Sequence, residues 1–219
     1  MNIYRTSFIG LLFTAMLSLS GNNAWASVDS DVQTLQQRWA EVNYKLKDDA
    51  QMKAYEALVS EAENIAAAHP DAAEVWVWSG IIKSSYAGAK GGLGALSLAK
   101  ASKKELEKAI ALNGNALDGS AYTSLGTLYF KVPGWPLGFG NDDKARELLQ
   151  KALAINPEGI DTNYFYAEFL RDQGDYRAAA DYYQKAMNAA PRPNRPLADS
   201  GRKAEIETAL AEVRKKLKE

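Results

Sequence analysis

The chain has 219 residues, 26 basic and 27 acidic side chains, a single histidine and no cysteine. This balance gives no electrostatic footprint for nucleic acid or an anionic membrane. Disulfides, thiolate metal sites and His-rich metal constellations are excluded by composition, so stability must come from packing.

The first 26 residues read as a leader. Arg5 supplies a positive flank, Phe8 to Leu19 is mostly apolar, and Ala24-Trp25-Ala26 puts small residues where a signal peptidase reads. The apolar stretch falls short of the roughly 20 residues that a bilayer span takes. Export to the periplasm or medium is expected, with cleavage near Ala26. The mature chain would carry no membrane span, and no cysteine follows the cut to accept a lipid. Residues 27–219 are then expected to form one domain.

Val32, Leu35, Trp39, Val42 and Leu46 recur at helical intervals and predict a first helix over Asp29–Lys47. Asp49 or a neighbour is expected to cap a second that runs to Ala68 and stops before His69-Pro70. Asp71 opens a third, whose Val75-Trp76-Val77-Trp78 and Ile81-Ile82 wrap around more than one side. Four glycines within Ala87–Ala95 predict a weakened, irregular stretch before a helix over Leu96–Leu112. Ala116–Phe130 is the next helix. Pro133-Gly-Trp-Pro-Leu-Gly-Phe-Gly140 must be a loop, since its prolines and glycines do not fit a helix interior. Asn141 or Asp142 caps a helix to Ile155, Asp161–Gln173 and Asp175–Ala189 form a hairpin around Gly174, and Pro191–Pro196 is a stiff connector. A last helix, Ala198–Lys218, carries Ile206, Leu210, Val213 and Leu217 among charges, as a terminal cap would.

One spacing occurs three times. Ser102, Leu106, Ala109 and Gly114 are separated by 4, 3 and 5 residues, as are Ala145, Leu149, Ala152 and Pro157, and again Ala179, Tyr183, Ala186 and Pro191. The last two sets lie 34 residues apart. Residues 163–191 resemble a tetratricopeptide repeat: Ala167 and Leu170, then Gly174-Asp175-Tyr176 at the turn, then Ala179, Tyr183, Ala186 and Pro191. Tyr122, Leu125-Gly126 and Tyr129 begin a preceding unit, and Trp76 and Gly80 an earlier one. The expected fold is all-α, a helical-hairpin solenoid of about nine helices. Its units would cover about 72–114, 116–157 and 161–191, and 198–218 would be the capping helix.

Two units are longer than the family pattern. Ala167 to Ala179 spans 12 residues, but Gly126 to Ala145 spans 19 and Gly80 to Ser102 spans 22. Both insertions fall between the first and second helix of a hairpin, so they should project from one edge of the stack.

The resemblance implies binding rather than catalysis. Counted from the small residue of each unit, the groove face should include Val77, Ile81 and Ser84, then Thr123, Thr127 and Phe130, then Tyr164, Glu168 and Arg171. The Lys and Asn with which some repeats of this family clamp a terminal carboxylate are missing there. The aliphatic, hydroxyl and aromatic mixture suits an apolar peptide or a small amphipathic ligand; alternatively the final helix or the insertions fill the groove. Trp135 and Phe139 either anchor a partner or fold back onto the helices beneath. Gly91-Gly92 matches no phosphate motif. His69 is expected to be solvated or to close a helix, and Asp48-Asp49 and Asp142-Asp143 to sit at helix starts. No catalytic set, metal site or cofactor is read from the chain. The leading expectation is a noncatalytic periplasmic scaffold binding another envelope protein or peptide. The alternative is a small-molecule-binding accessory, because the exported, insertion-bearing hairpins are also similar to the T-components of TRAP-type transporters, although the usual lipoprotein cysteine is absent.

Overall fold

A computed structural model describes residues 21–219, with side chains described from Val28 onward except at Leu93. The leader reading therefore lies mostly outside the described residues. Among those residues there are nine helices and no strand: α1 (Gly21–Lys45), α2 (Asp48–Ala68), α3 (Ala73–Lys90), α4 (Gly92–Asn113), α5 (Ala116–Lys131), α6 (Asp142–Ile155), α7 (Ile160–Asp172), α8 (Tyr176–Met187) and α9 (Pro196–Lys216). The all-helical expectation holds.

Local chemistry accounts for most helix ends. Asn141 Oδ1 accepts from the Lys144 amide (2.8 Å) at the start of α6, and Asp175 Oδ1 accepts from the Ala178 amide (3.1 Å) at the start of α8. Each satisfies one orphan donor of a first turn. No side-chain cap forms at α2; Asp48 and Asp49 lie in its first turn, where carboxylates oppose the positive end of the backbone dipole. His69 is the residue after α2, and its Nε2 lies 3.2 Å from Asp31 of α1.

The glycine-rich stretch is a correction. Only Gly91 falls outside the helices there, with φ +61° and ψ −177°, and Gly92 after it also has φ +62°, conformations that side-chain-bearing residues avoid. Helical structure runs to Lys90 and resumes at Gly92. Each helical glycine costs about 1 kcal/mol relative to alanine, but α3 and α4 pack along their lengths and bury Ala87 and Ala99 between them, which offsets that cost. The first insertion is thus a lengthened hairpin, not a loop. α5 differs too: Leu117, Asp118 and Gly119 take left-handed angles before the regular helix continues.

The repeated small residues work as spacing predicts. A Cβ on Gly80 would lie 2.7 Å from Leu106 Cγ, and one on Gly126 would lie 2.7 Å from Leu149 Cγ. Both distances are well inside van der Waals contact, so each leucine of a second helix fills the gap left by the glycine of the first.

The hairpins α1–α2, α3–α4, α5–α6 and α7–α8 stack in order. Their first helices touch in succession, α1 on α3, α3 on α5, α5 on α7 and α7 on α9, while second helices reach only the first helix of the next unit. First helices therefore line the inside of the curve. α9 also touches α1, so the inner helices form a closed circuit of five. Its leading residues Leu197 and Ala198 join the apolar cluster of α1–α3, and Ile206, Ala209, Leu210 and Val213 join that of α5–α8. α9 thus packs over the last hairpin and also reaches back to α1.

Candidate functional site

Packing between successive hairpins decides where most of the predicted groove residues lie. Val77, Thr123, Phe130 and Glu168 are buried, contrary to the exposed lining expected of them. Val77 belongs to the cluster around Leu106 and Tyr122, and Phe130 meets Phe169 edge-on at 5.6 Å. Ile81 is partly buried against the same cores, and Thr127 donates to the Thr123 carbonyl of its own helix (2.9 Å). Val77, Ile81 and Phe130 are thus committed to packing.

Tyr164, Glu168 and Arg171 are brought together on one face of α7, opposite α9. They line an open cleft of about 670 Å³, with Tyr44 from the end of α1 and Ser200, Ala204, Glu205, Thr208 and Glu212 from α9. Arg171 bridges two carboxylates, Glu168 at 2.9 Å and Glu212 at 3.0 Å. Glu168 also accepts from the buried Tyr183 hydroxyl and pairs with Lys131 at 3.4 Å. Burial drives the Tyr183 phenol far above its usual range, and its hydrogen bond to Glu168 adds to the shift. Burial likewise raises Tyr164, and raises Tyr44 to about 12, against the opposing field of Arg202. Burial raises Glu205 as well, against the same arginine. The cleft gathers groups suited to recognition: aromatic edges, hydroxyls and carboxylates around one arginine.

A charge network no motif signalled holds one wall of the cleft. Asp161, at the start of α7, takes Arg192 Nη1 at 2.7 Å and Arg202 Nε at 2.8 Å, and Asp199 takes Arg192 Nη2 at 2.6 Å. Burial works to raise the Asp161 pKa, but Arg202, Arg192 and Arg195 together hold it well below the usual carboxylate range. Arg202 lies 4.3 Å from the Tyr164 ring and 4.6 Å from that of Phe165, while Arg195 lies 5.0 Å from Trp78. Burial, then the neighbouring Arg192, pushes Arg195 down to about 10. One hint was legible beforehand, the arginines spaced along Pro191–Pro196, but Asp161 lies 31 residues upstream of Arg192 and has the look of a helix-start aspartate.

The loop between α5 and α6 separates the two readings of its aromatics. Phe139 folds back, meeting Tyr129 edge-on at 5.6 Å beneath Lys103. Trp135 stands 90% exposed and Leu137 72% exposed. The turn is nonetheless ordered by its own backbone: Leu137 and Gly138 amides donate to Gly134, Gly140 to Pro133, and Asn141 to Tyr129 (2.8–3.1 Å).

Among the described residues no cluster of three or more potential metal ligands occurs, and no helix is long and apolar enough to cross a membrane. Residues 137–200 match the tetratricopeptide repeat family. The fold is similar to that of a thermophilic TPR protein from Thermus thermophilus, with TM-score 0.54, 16% identity, and coverage of 84% of this chain and 99% of that one. Protein adenylyltransferase Fic from Aedes aegypti is 38% identical over 76 residues, which are 34% of this chain and 15% of that protein. The Drosophila persimilis protein of the same name is 37% identical over the same coverage. The chain thus spans about 15% of the length of these curated relatives.

Proposed function

We propose that this chain, a tetratricopeptide-repeat protein, is a noncatalytic scaffold that binds a segment of another protein in the α7–α9 cleft, and that it does so in the periplasm after loss of its leader. The observation that carries the reading is the cleft itself. It lies between α7, the end of α1 and α9, and it gathers Tyr164, Glu168 and Arg171 with polar groups of α9. Its size suits a few residues of peptide, and Arg171 between two carboxylates gives it both signs of charge for recognition. The short stretch shared with the adenylyltransferases gives no reason to carry over their activity.

Ser200, Ala204 and Thr208 are exposed, so they can be altered without disturbing the core. The test is cross-linking and affinity capture from envelope extract with the wild type and with Ala204→Arg/Thr208→Arg, which blocks the cleft. A protein captured by the wild type and lost with the blocked variant supports the reading. Equal capture by both, or none by either, rejects it. Fractionation of cells producing the full chain tests the location separately.

A further inference from the structure

We propose that the interior junction where Arg195, at the head of α9, meets Trp78 of α3 and Tyr44 of α1 binds a small carboxylate. The junction adjoins the α7–α9 cleft through Tyr44, but it stands whether or not that cleft takes a peptide.

The fold brings three distant residues together here. The Arg195 guanidinium lies 5.0 Å from the Trp78 ring. Trp39 touches both aromatics edge-on, with centroids 5.7 Å from Trp78 and 5.6 Å from Tyr44. Leu197 and Ala198, which follow Arg195, pack into the same cluster, and the field of Arg195 reaches the Tyr44 hydroxyl.

Each of the three residues carries a buried polar atom with no hydrogen-bond partner among the described residues: Arg195 Nε, Trp78 Nε1 and Tyr44 Oη. Trp78 is only 3% exposed, and the Arg195 side chain 16%. Guanidinium and indole nitrogens donate and never accept, and a phenol also donates. Buried donors without acceptors are costly, so what the junction lacks is an acceptor.

The neighbouring carboxylates do not supply it. Asp161 is taken by Arg192 and Arg202 at 2.7 and 2.8 Å and stands 4.0 Å from Arg195 Nη1, beyond hydrogen-bond length. Asp199 is taken by the amide and side chain of Arg192, and Glu205 by Arg202. Formal charge balances across these three arginines and three carboxylates, so the attraction is local. Arg195 is the cation left without a contact ion, and burial, then Arg192, push it down to about 10. α9 also begins at this residue with no side-chain cap, which turns the positive end of its dipole toward the junction.

A carboxylate answers both needs. Its two oxygens offer about four acceptor positions and one negative charge. A single water accepts about two hydrogen bonds and brings no charge to Arg195. Phosphate would bring a second charge close to Asp161 and Asp199, which already oppose the first.

The experiment uses the purified full chain at neutral pH, with sodium acetate as the probe and sodium chloride and inorganic phosphate at matched ionic strength. Melting temperature is followed together with the amide-region NMR signal of the Trp78 indole, assigned through Trp78→Phe. The expected result is a saturable rise in melting temperature with acetate but not with chloride, and a downfield shift of the Trp78 indole proton. Tyr44→Phe, which removes one hydroxyl, and Arg195→Gln should each weaken the acetate response about tenfold or more. Circular dichroism checks that both variants are folded. A Trp78 indole signal that does not move with acetate, because water meets its needs, overturns the proposal. So does an unchanged acetate response in either variant, and a stronger response to phosphate overturns the choice of carboxylate. No partner protein takes part in these measurements, so their failure leaves the cleft reading to its own test.

Discussion

At the scale of single residues, the glycines separate close packing from mere flexibility. Gly126 faces Leu149 across a helix pair, whereas Gly88 lies in α3 with nothing within 4 Å of a built Cβ and ordinary helical angles. Gly126→Ala should lower stability by about 1–3 kcal/mol by overpacking, and Gly88→Ala should raise it by about 0.5–1 kcal/mol by restricting the unfolded chain. Urea titration of both variants checks the pair of signs. Asp161 supplies a pH prediction. Its folded pKa lies below its unfolded value of about 3.9, so its contribution is complete above the unfolded pKa and is lost as pH falls toward the folded one. Stability measured from pH 7 to 5 should therefore show no loss from this group, with the decline beginning below about pH 4. Asp161→Asn should cost about 2–4 kcal/mol at neutral pH, because it removes the carboxylate shared by Arg192 and Arg202 and leaves them only Asp199 and Glu205; a wholly buried pair would cost more, but this side chain keeps 29% exposure. A decline of the same size in wild type and Asp161→Asn between pH 4 and 2 would show that the network is not its source.

At the scale of elements, the loop between α5 and α6 holds one residue for structure and one for the surface. Phe139→Ala should lower the melting temperature, by an amount equivalent to about 1–2 kcal/mol given its partial burial, while Trp135→Ala should leave it nearly unchanged because an exposed side chain has few contacts to lose. Thermal melts of the two single variants decide it; equal losses would contradict the division. The elements also mark how far the sequence could be read. Repeating small–large spacing identified the hairpins, and Asn141 and the Gly174 turn were legible because caps and turns depend on their immediate neighbours. Helical glycines at 88–94 were not, because their propensity is outweighed by packing between α3 and α4 that no local window contains. Tyr164, Glu168 and Arg171 share one face of α7, as intervals of four and three require, with Glu168 buried rather than exposed. Val77, Thr123 and Phe130 were misread as exposed; Val77 and Phe130 are covered by residues of the next hairpin, contacts that no local window contains.

At the scale of the molecule, the curve of the stack ends with α9 meeting α1, and this contact distinguishes a closed circuit from an open solenoid. In an open stack each unit contacts only its neighbours, and stability is a sum of local terms. Here the first and last inner helices are coupled through one close approach: a Cβ on Gly201 of α9 would overlap the ring of Tyr44 of α1. Tyr44 in turn meets Trp39 edge-on at 5.6 Å, which carries the contact into the α1–α3 core. Gly201→Ala should therefore destabilise by about 1–3 kcal/mol, even though glycine to alanine in a helix otherwise stabilises by about 1 kcal/mol. In a Tyr44→Ala background the obstruction is gone, and the same substitution should become neutral or stabilising. The double-mutant cycle then yields a coupling energy of about 1–3 kcal/mol between residues 157 positions apart in the chain. Additive effects in denaturant titration would mean that α1 and α9 are not energetically joined.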